Sequence, residues 1–217
     1  MAHFFDAELD NLKQKLLAMA GNAEAAVNKA VQALTNRDHE LAVQVNENDK
    51  ILDQFEIEID ELAIHLLAKA PLATDLRLIT VAMKISQNLE RVGDEAAKIA
   101  KRARDLSQEP PLKHSQQIPA MAQLVVQMLK ESLDCFVNQQ PDAARALIPR
   151  DKEVDQLNKE IHRGLAHLMV ADPEAIPRCL NLMVVSKSLE RIADHAKNVA
   201  EEVVYLCEAQ DIRHAGK

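Results

Sequence analysis

Four pairs of acidic residues share one spacing, in which the second acid follows the first by four positions. The pairs are Asp49/Asp53, Glu90/Asp94, Asp151/Asp155 and Glu190/Asp194. Residues four apart on a helix project from the same face, and two like charges in that relation destabilise the helix by about 0.2–0.5 kcal/mol. A bound cation would offset this repulsion, and carboxylate oxygens are the ligands that hard cations prefer. The pattern therefore predicts metal sites on helices.

The residue types narrow the choice of ion without fixing it. An oxygen-rich site suits Mg²⁺ or Mn²⁺, and it also accepts iron or Zn²⁺. We therefore expect a divalent or trivalent metal ion (Mg, Mn, Fe or Zn). Solvated helix surface is the competing interpretation, because 28% of the residues are charged and Asp94 could simply pair with Lys98.

A repeated sequence frame favours the metal interpretation. The frame Glu-Arg-x-x-Asp-x-Ala begins at Glu90 and again at Glu190, and the frame Asp-Lys-x-x-Asp-Gln begins at Asp49 and again at Asp151. The four acidic pairs thus hold matching positions in two copies of one unit. If the helices of one copy face each other, their carboxylates form one site.

Four neighbouring residues extend these candidate sites, namely Arg91, Arg191, His195 and Asn198. The first copy has Glu95 and Lys98 where the second has His195 and Asn198. We therefore expect the two sites to differ chemically.

The sequence lacks the motifs of several enzyme classes that such sites would suggest. None of the 8 histidines follows a glutamate by three residues, as the helices of di-iron bundle proteins require. No Gly-x-Ser-x-Gly frame and no Gly-rich phosphate loop is present. We expect no catalytic residues and a protein that is not an enzyme. The alternative is a metal-dependent enzyme or metal store of the di-iron helical-bundle type.

Composition indicates that helices position these acids. The chain has 47% hydrophobic residues but only 4 Gly, 4 Phe, 1 Tyr and no Trp, and strong helix formers are abundant. Apolar residues recur at helical spacing through most of the chain. We predict an all-α fold of six helices, arranged as two tandem pseudo-symmetric three-helix bundles. Residues 1–106 form the first bundle, residues 107–118 a linker, and residues 119–217 the second bundle.

Capping residues and prolines predict where the helices begin and end. The predicted helices span about residues 5–36, 38–69, 74–106, 119–138, 141–170 and 173–208. The predicted N-caps are Asp38, Asp172 and either Thr74 or Asp75. Pro149 predicts a kink or break near Ile148 in the fifth helix, whereas its counterpart Glu47 lies within a helical stretch.

Charge and hydropathy limit the partners and the location. A net charge of −8 argues against nucleic acid and against direct contact with acidic lipids. The N-terminus lacks the pattern of a secretory signal, and no stretch approaches the roughly 18 apolar residues of a membrane span. Cys135, Cys179 and Cys207 are odd in number and widely spaced, which is typical of reduced, mostly buried thiols. These features predict a cytoplasmic protein that reaches a membrane only through partners.

The motifs around the acidic pairs resemble those of the PhoU family of phosphate-signalling proteins. The most specific segments are residues 89–94 and 189–200, and Asp75-Leu76-Arg77 at the start of the third helix is also similar. The resemblance covers nearly the whole chain. Ala193 and Lys98 stand where the two motif copies of the family usually have glycine and asparagine.

The resemblance implies both a fold and a role. The fold is two three-helix bundles, with Glu/Asp-x-x-x-Asp motifs that bind metal in some members. The role is that of a negative regulator of the phosphate-starvation response and a modulator of high-affinity phosphate uptake. Members link the ATPase subunit of the phosphate transporter to a sensor histidine kinase, so these are the expected partners. The chain is also expected to form a homodimer.

Overall fold

The computed structural model describes residues 2–47, 50–69, 72–112 and 117–213. Within these ranges the chain forms α-helices and short 3-10 turns and no strand, so the all-α prediction is confirmed. The helices are α1 (Ala2–Asn36), α2 (His39–Glu47), α3 (Lys50–Leu67), α4 (Ala73–Ser107), α5 (Gln117–Asn138), α6 (Pro141–Leu147), α7 (Asp151–Ala171) and α8 (Ile176–Glu208). None of them is both long and apolar enough to cross a bilayer.

The helices group into the six rods that the sequence predicts. Both α2 and α3 pack against α1 and α4, so they belong to one rod. In the second half of the chain, α6 and α7 pack against α5 and α8 in the same way. Each half is therefore a bundle of three rods, and the pseudo-symmetric duplication is confirmed.

Two of the predicted N-caps are present. The backbone N–H of Leu41 donates a hydrogen bond to Asp38 Oδ1 at 3.0 Å. The backbone N–H of Glu174 donates to Asp172 Oδ1 at 3.2 Å, at the start of a 3-10 turn that precedes α8. Each cap satisfies a backbone donor that has no partner within the helix.

The predicted cap of the third rod was wrong. α4 begins at Ala73, and its N-cap residue is Leu72, which makes no side-chain capping hydrogen bond. Asp75 lies instead within the first turn of α4, where the positive end of the helix dipole stabilises an acid without a capping hydrogen bond.

The fifth rod breaks where the sequence predicts. α6 ends at Leu147, and a 3-10 turn over Ile148–Arg150 leads into α7, since Pro149 has no N–H to donate. Its counterpart Glu47 lies in α2, as predicted, and the two residues that follow it lie outside the described part of the chain.

The most extensive packing between the two halves is that of α4 against α8. Lys84 Nζ, early in α4, lies 3.1 Å from Glu202 Oε2, late in α8. Further along, Arg191 Nη1 lies 3.1 Å from Glu95 Oε1, so the two helices run antiparallel. Both helices carry small buried residues, namely Gly93, Ala96, Ala100, Ala193, Ala196 and Ala200.

The C-terminal end of α4 is fixed by an arginine from the turn after α1. Arg37 Nη2 donates hydrogen bonds to the backbone carbonyls of Leu106 at 2.7 Å and Ser107 at 3.2 Å, and also to that of Glu109. A cation at this end complements both the last carbonyls and the negative end of the helix dipole. Arg37 thereby ties the first rod to the segment that leads into the second half.

Replacement of Arg37 by glutamine should destabilise the protein. The variant removes a charged donor that serves three carbonyls. A hydrogen bond that involves a charged group contributes about 1.5–3 kcal/mol to stability. We expect the free energy of unfolding in urea to fall by about 1–3 kcal/mol. Arg102→Gln is the matched control, because Arg102 forms only a half-exposed ion pair with Asp105 at 3.6 Å. Equal losses in the two variants would contradict the capping role.

Candidate metal centre

Acids of α3 and α4 form a first cluster, which consists of Asp53, Glu56, Asp60, Glu90 and Asp94. Burial raises the pKa of Glu90, and the charge of Asp94 on the same helix raises it further. Glu56 and Asp53 act on Glu90 in the same direction from α3. Burial also raises the pKa of Glu56, with added repulsion from Asp60 and Asp53. Carboxylates of two packed helices therefore lie close enough to repel one another.

The structure brings together three of the four ligands predicted for the first half, Asp53, Glu90 and Asp94. The fourth, Asp49, lies outside the described residues. The four-residue spacing from which the ligands were predicted does not identify Glu56 and Asp60, because they follow Asp53 by three and seven positions. Those spacings also share one helix face, but the repeat hides them, because their counterparts in the second half are Asn158 and His162.

Acids of α7 and α8 form a second cluster, which consists of Asp151, Asp155, Glu190 and Asp194. Burial raises the pKa of Asp194, and the charges of Asp151, Glu190 and Asp155 add to that effect. Asp151 is only 6% exposed, and its Oδ1 atom has no hydrogen-bond partner. The structure thus places all four predicted ligands of the second half in one neighbourhood.

Two lysines of α8 accompany the second cluster. Lys197 Nζ donates a hydrogen bond to Asp151 Oδ2 at 2.9 Å and lies 3.9 Å from Asp194 Oδ1. Burial alone would lower the pKa of Lys197, but the hydrogen bond and charge of Asp151 outweigh burial and raise it. Lys187 Nζ lies 2.5 Å from Glu190 Oε2 at a more exposed position. The acid spacing in the sequence does not predict either lysine, because a positively charged amine cannot coordinate a metal ion.

His195 and Asn198 lie at the contact between α4 and α8. Asn88 Oδ1 lies 3.0 Å from His195 Nδ1 and accepts a hydrogen bond from Asn198 Nδ2 at 3.1 Å. The side chains of both residues are thus engaged with α4, whereas the acids of the second cluster lie between α7 and α8.

Arg191 also contacts α4, because its Nη1 atom donates to Glu95 Oε1 at 3.1 Å. Lys98 donates to the same oxygen at 2.9 Å and lies 3.9 Å from Asp94 Oδ2. The pairing of Asp94 with Lys98 that the sequence allows is therefore present, although the shorter contact of the lysine is to Glu95. Arg91 lies beside the first cluster, where its charge opposes the rise in the pKa of nearby acids.

Comparison with known proteins relates both halves of the chain to one domain. The family model described as the PhoU domain matches twice, over residues 16–103 and 118–203. The chain belongs to the PhoU family. The resemblance seen in the motifs is therefore confirmed, and each match contains one acidic cluster.

PhoU proteins of known sequence or structure match along almost their whole length. A Pseudomonas aeruginosa protein named phosphate-specific transport system accessory protein PhoU homolog is 43% identical over 214 residues, which cover 98% of this chain and 88% of that protein. The crystal structure of PhoU from Pseudomonas aeruginosa matches with a TM-score of 0.92 at 42% identity, over 95% of this chain and 100% of that one. The phosphate transport system regulatory protein PhoU from Streptococcus pneumoniae matches with a TM-score of 0.89 at 30% identity, over 96% and 99% of the two chains.

The donors of both clusters suit the hard cation that the PhoU resemblance implies. Asp60 Oδ1 and Asp151 Oδ1 are buried without hydrogen-bond partners, and such oxygens are costly unless a cation or donor satisfies them. In the part of the chain that the structure describes, no three His, Cys, Asp or Glu side chains converge closely enough to hold an ion. Metal binding would therefore require carboxylates of a cluster to rotate toward one another.

Glu90→Gln should stabilise the metal-free protein at neutral pH. The pKa of Glu90 is raised, first by burial and then by Asp94, so the folded state disfavours its charged form. We expect the free energy of unfolding to rise by about 0.2–0.5 kcal/mol for each like-charge pair removed. The gain should vanish as the pH falls from the raised pKa to the ordinary pKa of a glutamate, because wild-type Glu90 then also loses its charge.

Urea denaturation at several pH values, with a chelator present, measures this gain. Glu61→Gln removes an exposed acid from the same stretch of α3 and serves as the control. A lower stability of Glu90→Gln than of wild type at neutral pH would contradict the repulsion within the first cluster.

Proposed function

We propose that this chain is an accessory protein of the phosphate-specific transport system, which restrains the phosphate-starvation response and modulates phosphate uptake. The match of the PhoU domain to both halves carries the proposal, because it relates the whole chain to one family. The relatives from Pseudomonas aeruginosa and Streptococcus pneumoniae are named as an accessory and a regulatory protein of phosphate transport. Those names favour a regulator over an enzyme.

The protein would act in the cytoplasm as an adaptor between the ATPase subunit of the phosphate transporter and the sensor histidine kinase. Exposed apolar side chains on both halves support a protein-binding role. On α3, Ile57 and Ile64 are seven residues apart, so they share a face, and they are 53% and 63% exposed. On α8, exposed Ile176, Leu180 and Val184 follow at intervals of four. One such face on each half suits two different partners, while the homodimer is proposed from the family alone.

The acidic clusters would hold a divalent or trivalent metal ion (Mg, Mn, Fe or Zn). In the first cluster Asp53, Glu90 and Asp94 would supply oxygen ligands from two helices. An ion there would neutralise the mutual repulsion of the acids and fasten α3 to α4. The metal would therefore stiffen the helix that carries the exposed isoleucines, which links metal binding to partner binding.

Deletion of the gene should activate a phosphate-responsive reporter in phosphate-rich medium. A regulator that restrains the starvation response is needed only when phosphate is plentiful. The reporter should therefore rise several-fold in rich medium and change little in starved cells. Expression of the intact chain should restore repression. An unchanged reporter after deletion would contradict the regulatory proposal.

The adaptor role has its own test in the same cells. Tagged protein purified from phosphate-replete cells should carry the transporter ATPase and the kinase. Ile57→Asp/Ile64→Asp places charges on the exposed face of α3, and Ile176→Asp/Leu180→Asp does so on α8. Recovery of neither partner with the wild-type chain would contradict the adaptor role.

Metal binding is tested by elemental analysis of protein purified without chelator. Wild type should contain metal, and the variant Asp53→Asn/Asp94→Asn/Asp155→Asn/Asp194→Asn should lose most of it, because each change removes a charged ligand. The control removes four exposed acids elsewhere, in Asp6→Asn/Asp10→Asn/Glu40→Gln/Asp134→Asn, which alters the net charge equally. Equal metal in all three proteins would show that the clusters are not the site.

A further inference from the structure

The two acidic clusters differ in the cations that accompany them. Lys197 and Lys187 of the second half correspond to Ala97 and Gln87 of the first. Arg91 acts on the acids of the first cluster, whereas Arg191 contacts Glu95 of α4. The two lysines are therefore cations that only the second copy has at these positions. The first cluster contains five described acids and no lysine at either of these positions.

Lys197 occupies the position of a cation within the second cluster. Its ammonium lies 2.9 Å from Asp151 Oδ2 and 3.9 Å from Asp194 Oδ1, and so bridges acids of α7 and α8. Asp151 is almost fully buried, and its second oxygen has no hydrogen-bond partner. A buried carboxylate of this kind requires a compensating charge, and in this half of the chain the tethered ammonium supplies it.

Among the residues that the structure describes, no lysine bridges acids of two helices in the first cluster, and Asp49, the counterpart of Asp151, is not one of them. Ala97 carries no charge, and the nearest lysine, Lys98, makes its shorter contact with Glu95 rather than with Asp94. Burial and the neighbouring acids raise the pKa of both Glu56 and Glu90. Acids therefore repel one another in the first cluster without such a bridge. In the second cluster Lys197 offsets part of the repulsion, although burial and the neighbouring acids still raise the pKa of Asp194.

We propose that Lys197 is a built-in counterion that takes the place of a metal ion in the second cluster, so that metal binds selectively to the first. A divalent ion that entered the second cluster would have to displace the ammonium from Asp151 or tolerate its positive charge nearby, and both are unfavourable. The inference deepens the metal binding proposed above and rests on it. It assigns different roles to two clusters that occupy matching positions in the sequence repeat.

Exchange of the residues at positions 97 and 197 tests this assignment. The proteins are wild type, Lys197→Ala and Ala97→Lys, with Lys159→Ala as a control that removes an exposed lysine from α7. Each is stripped of metal and equilibrated with Mn²⁺, and bound ions are counted by equilibrium dialysis and by the electron paramagnetic resonance signal. Thermal denaturation with and without Mn²⁺ reports whether each variant folds and whether the ion stabilises it.

Lys197→Ala should bind about twice as much Mn²⁺ as wild type, because it opens a second oxygen-rich cluster. Ala97→Lys should weaken binding about tenfold or more, since it places a positive charge within the first cluster. Lys159→Ala should match wild type. Because Lys197→Ala leaves Asp151 unpaired and could unfold the chain, Ala97→Lys at a half-exposed position provides an independent test.

Different results would overturn different parts of the proposal. If Asp155→Asn removes half of the Mn²⁺ from the wild-type chain, ions already enter the second cluster beside Lys197, and the inference fails while metal binding stands. If Lys197→Ala is folded and binds no more Mn²⁺ than wild type, Lys197 is only a structural ion pair. If no protein in the series binds Mn²⁺, the metal component of the proposed function fails as well.

Discussion

The antiparallel packing of α4 against α8 is the constraint on which the rest of the structure depends. Each of these helices is the third rod of its own bundle and also contacts the other half, so it must bury residues on several sides. Alanine and glycine at its buried positions make this possible without large gaps. Adjacent residues then face different neighbours. Asp94 interacts with Glu90, whose other acidic neighbours are on α3, whereas Glu95 accepts a hydrogen bond from Arg191 of α8.

The repeat places two matching positions, Glu95 and His195, at the contact between α4 and α8, and the two residues differ in chemistry. Glu95 contacts Lys98 on its own helix and Arg191 on the other, and its counterpart His195 interacts with Asn88 across the interface. Burial alone would raise the pKa of Glu95, but hydrogen bonds, including those from Lys98 and Arg191, lower it, so the acid stays charged. Burial, followed by the charge of Arg91, lowers the pKa of His195 and favours the neutral ring. One side of the interface is therefore held by ion pairs and the other by neutral hydrogen bonds, as the difference between the copies predicts.

The fold could be predicted from the sequence because the repeat and the helical periodicity both indicate three helices in each half of the chain. Seven of the eight predicted acids lie in the described part of the chain, and the structure brings them together in two clusters. The sequence could predict this because spacing on a helix is set by local geometry. It could not show which residues cross from one helix to another. The position of Lys197 between α7 and α8 and the capping of α4 by Arg37 depend on tertiary contacts between distant segments.

The duplication places two acidic clusters of unequal composition at matching positions, and Lys197 on α8 adds to that difference. An ammonium tethered to the chain stays beside Asp151 at every concentration of free metal, because its effective concentration is fixed by the helix that carries it. A cluster neutralised in this way gives its bundle a constant stability. A cluster without such a cation can change its charge only by binding an ion or a proton from solution. On the assignment proposed for Lys197, the first half of the chain responds to its surroundings, and the second half provides the fixed scaffold against which α4 packs.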